Sequence, residues 1–133
     1  MCLTLGLNYK EETAEQPITC FKVVMKGKSG GLLLTPYQNM TVKIGKTYTS
    51  EIRVGTLCGD SVLTLGFHSF QNLELAKSEA KGWECLKLTI PLVVKCQIPT
   101  GAKYYQGGFE CSDILALNDC YGSDMIEYLE IVE

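Results

Sequence analysis

The side chains able to do chemistry are few and well separated. His68 is the only histidine, so any site that needs two imidazoles is excluded. It lies in Gly66-Phe67-His68-Ser69-Phe70, where a strand pattern ends just before a helix start. Free amides at a helix start favour a negative group, which makes His68 and Ser69 candidates to hold one by hydrogen bonds. His68 would also serve as an acid or base, although a histidine packed for structure fits the same position. Lys46 occupies a turn beside Lys43 and adds positive charge. Tyr37, Tyr48, Tyr104 and Tyr105 supply rings, and Gly107-Gly108 would let a loop close over them. Tyr37, Lys46, Tyr48, His68, Ser69, Tyr104 and Tyr105 together suit a small ligand with a flat group and a phosphate. Each of them also has a packing explanation. Cys2 would become an N-terminal nucleophile if Met1 were removed, but a chance cysteine at position 2 is the better explanation.

Familiar catalytic signatures do not occur. The sequence has no Walker loop, no paired-glycine dinucleotide fingerprint and no Gly-x-Ser-x-Gly elbow. The seven cysteines are separated by steps of 18, 38, 27, 11, 15 and 9 residues, which does not suggest a zinc site. No metal and no cofactor is implied. Seven is an odd number, and Cys20 and Cys96 sit inside apolar runs, so free thiols in a reducing compartment are expected.

The elements that must position these residues are mostly strands. Thr19 to Met25 is β-branched and aromatic. Leu32 to Thr35 is a short apolar run. Residues 39–54 resemble a hairpin turning at Gly45-Lys46, with Tyr48, Ser50, Ile52 and Val54 on one face. Val62 to Phe70 is a further strand. The one convincing helix spans about 72–81, capped by Asn72, striped by Leu73, Ala76 and Ala80, and stopped by Gly82. Its small apolar residues predict close packing against a sheet. Leu86 to Ile98 is strongly apolar, with Pro91 placing it at an edge or bulge. Residues 114–117 and 125–132 complete the strands. The fold expected is a single α+β domain, mainly antiparallel sheet with one principal helix, over residues 18–133. Polar residues 8–17 suggest an N-terminal arm over 1–17.

Length and charge bound the partners. A chain of 133 residues makes one ordinary domain. A net charge of −3 disfavours extended nucleic acid. From Cys20 to Lys46 there are five lysines and no acid, whereas from Tyr104 to Glu133 there are seven acids and no base. Two solvated faces of opposite sign account for this, and so does an anion site near the lysines. Arg53 is the only arginine, which excludes a multi-arginine phosphate clamp. No stretch approaches the length of a membrane span, and the start of the chain lacks the pattern of a signal peptide, so a cytoplasmic protein is expected.

Several segments carry a resemblance. Met1-Cys2-Leu3, Thr19-Cys20-Phe21-Lys22-Val23, Pro36-Tyr37, Ile44-Gly45-Lys46-Thr47-Tyr48, Gly66-Phe67-His68-Ser69-Phe70 and the run from Lys95 to Tyr105 are similar to a group of small proteins encoded by gut Bacteroidales and their phages. That group has no assigned activity. The resemblance implies a phage-associated accessory or anti-defence protein. The segment from Gly66 to Phe70, followed by the helix bearing Ala76 and Ala80, also resembles the middle of ADP-ribosyltransferase-type domains, which implies an NAD pocket. The chain departs from that pattern: no early strand carries an arginine or histidine for the ribose, and no late glutamate sits in a catalytic loop. Three function classes follow. The first is a non-enzymatic binding module for a small nucleotide-like ligand or a protein partner. The second is a transferase-like enzyme, or a degenerate relative, using NAD. The third is a structural or interaction subunit.

Overall fold

The computed structural model describes residues 3–5, 9–27, 33–35, 40–57, 60–82, 89–109 and 120–132. Its centre is the pairing of β3 (Ile18–Gly27) with β10 (Thr89–Ile98), ten residue pairs long and antiparallel. Both sequences are rich in Val, Ile and Leu, which suits strands covered on both faces. Pro91 interrupts neither. On the far edge of β10 the next strand, β13 (Met125–Ile131), pairs only from Val94 to Gln97, so Pro91 sits beyond that ladder.

Around this pair lie β1 (Leu3–Leu5), β2 (Glu12–Thr13), β4 (Leu33–Leu34), β5 (Thr41–Val42), β6 (Thr47–Thr49), β7 (Arg53–Leu57), β8 (Asp60–Leu65), β9 (Phe67–Phe70), β11 (Lys103–Phe109) and β12 (Cys120–Ser123). The main path runs β6-β13-β10-β3-β9-β12-β11-β1-β8-β7, and every pairing among the described residues is antiparallel. With the single described helix, α1 (Leu73–Gly82), this gives the expected helix-plus-antiparallel-sheet domain, richer in strand than the sequence suggested. No described helix is long and apolar enough to cross a membrane.

Two bends make the sheet close on itself. β8 runs into β9 through Gly66, and β12 runs into β13 through Asp124. Gly66 has φ of 135°, a conformation that side chains disfavour, and a Cβ there would stand 3.2 Å from the Ser123 carbonyl oxygen. The Asp124 bend is held on three sides. Its amide donates to Lys103 O at 3.0 Å, its carbonyl accepts from Ser50 N at 2.8 Å, and its Oδ1 accepts from Lys103 N at 2.9 Å. The pairings β13-β10-β3-β9-β12 therefore return to the strand they left, and so do β8-β1-β11-β12-β9. The first circuit surrounds Cys20, Val24, Phe67, Val94, Cys96, Tyr121, Ile126 and Tyr128. The second packs Leu3, Leu5, Leu63 and Cys120 together. Gly122 leaves room there for Leu63, whose Cδ2 would stand 2.0 Å from a Cβ and would have to move.

The helix covers the outside of the central pair. Asn72 Oδ1 accepts from Leu75 N at 2.9 Å and caps the first turn, as its residue type predicts. Ala76 and Ala80 then lie against Val23, Met25 and Val93. Their small side chains let the helix come close to the sheet.

Three local expectations change. The hairpin over 39–54 does not form: β5 pairs with β4, while β6 pairs with β13. The turn at Gly45 instead hands the chain from one strand group to another, with Gly45 N donating to Tyr128 O at 2.6 Å. The strand over 62–70 is two strands broken at Gly66. Residues expected in an N-terminal arm belong to the sheet. β1 lies between β8 and β11, Leu3 is fully buried, and Ala14 bonds the turn before β11 through Ala102 O and Gly101 N, both at 2.8 Å. The strand expected at 114–117 lies outside the described residues.

Candidate functional site

The proposed site residues fall into three places. Lys46 and Tyr48 stand together on the corner formed by the turn and β6. The Lys46 ammonium lies 5.4 Å from the centre of the Tyr48 ring, within cation–π range. The Tyr48 hydroxyl accepts from Lys43 N at 2.9 Å, and its ring meets Tyr128 edge-on at 5.7 Å. The ring is thus fixed from behind while both lysines are exposed. No acid occurs between Gln16 and Ser50. Tyr37 lies outside the described residues.

His68 and Ser69 sit on β9 and, being neighbours in a strand, point to opposite faces. Ser69 faces the first circuit with Phe67 and is fully buried. Its Oγ lacks a hydrogen bond of regular geometry, and the Cys20 thiol stands against it. His68 takes the opposite face and pairs across to Gly122. Burial, reinforced by the Lys22 charge, pushes its imidazole down to about 4, so it is neutral at physiological pH. Its carbonyl accepts a hydrogen bond from Lys22 Nζ.

Tyr104 and Tyr105 also diverge. Tyr104 packs against Tyr121 inside, ring to ring at 5.9 Å. Tyr105 faces the other way, edge-on to Tyr9 at 5.9 Å, with its hydroxyl 3.4 Å from Glu11 Oε2. Burial and the Glu11 charge raise the Tyr105 phenol, as burial and Glu12 raise that of Tyr104. Lys46 with Tyr48 therefore forms one accessible group. His68, Ser69, Tyr104 and Tyr105 are spread over two sides of the sheet and make no contact with it among the interactions described.

The structure adds a polar cluster that the spacing analysis missed. Lys22 projects inward from β3 between Cys20 and Val24. Burial lowers its ammonium, opposed by the nearby Cys96 and Cys20 sulfurs. Burial pushes the Cys20 thiol up to about 11 and Cys96 higher still. Tyr128, fully buried beside Cys96, has its phenol raised by burial, and its hydroxyl has no hydrogen-bond partner. Strand alternation alone carried the signal, since Lys22 shares a face with Cys20 and Val24 whenever 18–27 is a strand. Cys20, Cys96 and Cys120 are free thiols; Cys2, Cys58, Cys85 and Cys111 lie outside the described residues. Among the described residues no group of three or more His, Cys, Asp or Glu side chains is placed to hold a metal ion.

No protein-family model matches the chain, and no curated protein and no solved structure matches it.

Proposed function

We propose that the protein is a binding module that captures a small phosphate-bearing ligand at the corner carrying Lys43, Lys46 and Tyr48. The observation behind this reading is the exposed Lys46 ammonium held over a ring that the core keeps in place. An immobile ring loses little entropy when a flat group stacks on it. Two ammonium groups in one turn, without an acid in the surrounding sequence, supply the charge for phosphate. Lys46 would leave the ring for the phosphate as the flat group takes its place. Capture without turnover is the role these groups support, because neither lysine is joined to an acid–base partner in the interactions described.

Thermal shift against nucleoside mono-, di- and triphosphates, dinucleotides including NAD, and inorganic phosphate tests the reading. A saturating ligand at 100 times its Kd should stabilise the fold by about 2.7 kcal/mol. Replacing Lys43 and Lys46 by Met should weaken that ligand tenfold or more while leaving the unliganded melting temperature in place. NAD should be recovered intact by mass analysis. The reading fails if no compound shifts the melt, or if the double variant binds as the parent does.

A further inference from the structure

Cys20 and Cys96 are directly opposite one another in the β3–β10 ladder. Both belong to the cluster inside the first circuit, so both side chains project from the same face. Directly opposed residues of an antiparallel pair have Cα atoms about 4.5 or 5.5 Å apart, according to the type of pair. Disulfides accept Cα separations of about 4.4–6.8 Å. Either type of pair therefore meets the Cα requirement, and closing the bond draws the two Cβ atoms together from about 4.5–5.5 Å to about 4 Å. The register of ten paired residues holds the two cysteines opposite one another.

We propose that Cys20 and Cys96 are an oxidation site, closing to an intramolecular cross-strand disulfide when the protein meets a small disulfide or a peroxide. The neighbours assign the order of events. Burial holds both thiols above their ordinary range. Ser69 Oγ against the Cys20 sulfur and Lys22 two residues along on the same face offset part of that rise, which leaves Cys20 the more easily ionised of the two. Cys96 lies between Cys20 and Tyr128, its partner in β13, and its Sγ points towards Val94 O at 3.7 Å. The Cys20 thiolate attacks an incoming R–S–S–R, forms a mixed disulfide and expels one thiolate. The Cys96 sulfur, deprotonated, then attacks the Cys20 sulfur and expels the second. The two protein thiols lose two protons and two electrons, and the oxidant leaves as two R–SH. With hydrogen peroxide the Cys20 thiolate takes one oxygen as a sulfenic acid and releases one water, and attack by Cys96 releases the second. Both sulfurs are fully buried, so the first step waits for the seam between β3 and β9 to open. That seam has one described ladder pair, Phe21 with Phe70, beside the Lys22 Nζ bond to the His68 carbonyl, which makes it the natural point of entry.

The test is exposure of the full chain to oxidised glutathione and, separately, hydrogen peroxide. Non-reduced peptide mapping by mass spectrometry then follows. The expected result is a linked pair of peptides containing Cys20 and Cys96, lighter by two hydrogens, and a melting temperature raised by on the order of 10 °C. Reduction should reverse both. Cys96→Ala should abolish the rise and leave Cys20 as a glutathione adduct. Cys120→Ala should leave the Cys20–Cys96 link intact, which separates a specific pair from general thiol oxidation. The proposal is overturned if Cys20 and Cys96 stay alkylatable after denaturation while other thiols are consumed, or if either is found joined to a different cysteine.

Discussion

On the outward side of β3, Phe21, Val23 and Met25 pack with Ala76 and Ala80 of the helix; on the inward side, Lys22 stands among two thiols, a serine and tyrosines. The two faces share a backbone, a register and a partner strand. They differ in what they ask of the chain. The outward face is satisfied by shape alone, because small helix residues and large strand residues interlock. The inward face must satisfy hydrogen-bonding groups as well, and it does so only in part: Lys22 finds the His68 carbonyl, while Ser69 Oγ and Tyr128 Oη lack regular partners. Buried polar groups left without partners cost free energy, typically about 1–3 kcal/mol each.

The largest effect is expected from acid, which reads how firmly β9 stays closed against β3 through the Lys22 bond to the His68 carbonyl. The folded imidazole of His68 titrates near 4 and an unfolded one near 6.5. Between these values the unfolded chain binds the extra proton, so stability is full above about pH 6.5 and falls as pH drops towards 4. The loss from this group should be on the order of 3 kcal/mol, read from urea denaturation across that range. His68→Asn should flatten this part of the curve. An unchanged acid limb in that variant would mean that burial around the Lys22–His68 pair is not what sets it. The outward face should respond to volume instead. Ala76→Leu places three more carbons where the helix meets Val23 and Met25, and should cost about 1–3 kcal/mol at every pH. A variant as stable as the parent would show that the helix is loosely docked. The smallest effect belongs to the cap. Asn72→Ala removes one bond to Leu75 N and should cost about 1 kcal/mol, with no change in the acid limb.

The helix was legible because everything that makes it is local: a cap at Asn72, small residues at Ala76 and Ala80, a glycine at 82. The strands at 19–25 and 92–98 were legible from composition. What failed was pairing. Residues 41–49 have the alternation and the glycine of a hairpin, but β6 finds a better partner in β13, almost eighty residues away, and local periodicity holds no record of that choice. Gly66 looked like one more strand residue because its positive φ shows only in the fold. The divergence of Tyr104 from Tyr105 was readable, since adjacent strand residues must face opposite ways. The inward lysine was readable for the same reason. Over 18–27 alternation separates Lys22 from Phe21 and Val23.

The pairing of β1 with β11 also has a consequence for synthesis. Leu3 is matched to Phe109 and Leu5 to Gly107, so β1 has a partner made about a hundred residues later. At ordinary translation speeds that is a wait of about 5–20 s. β3 is in the same position, with its ten partners in β10 still untranslated. For that interval two apolar strands are in the cell with unmatched edges, and no subset of the early chain can complete either circuit. Neither circuit can close before β12 has been made, so the domain completes its core only when residues 120–123 become available.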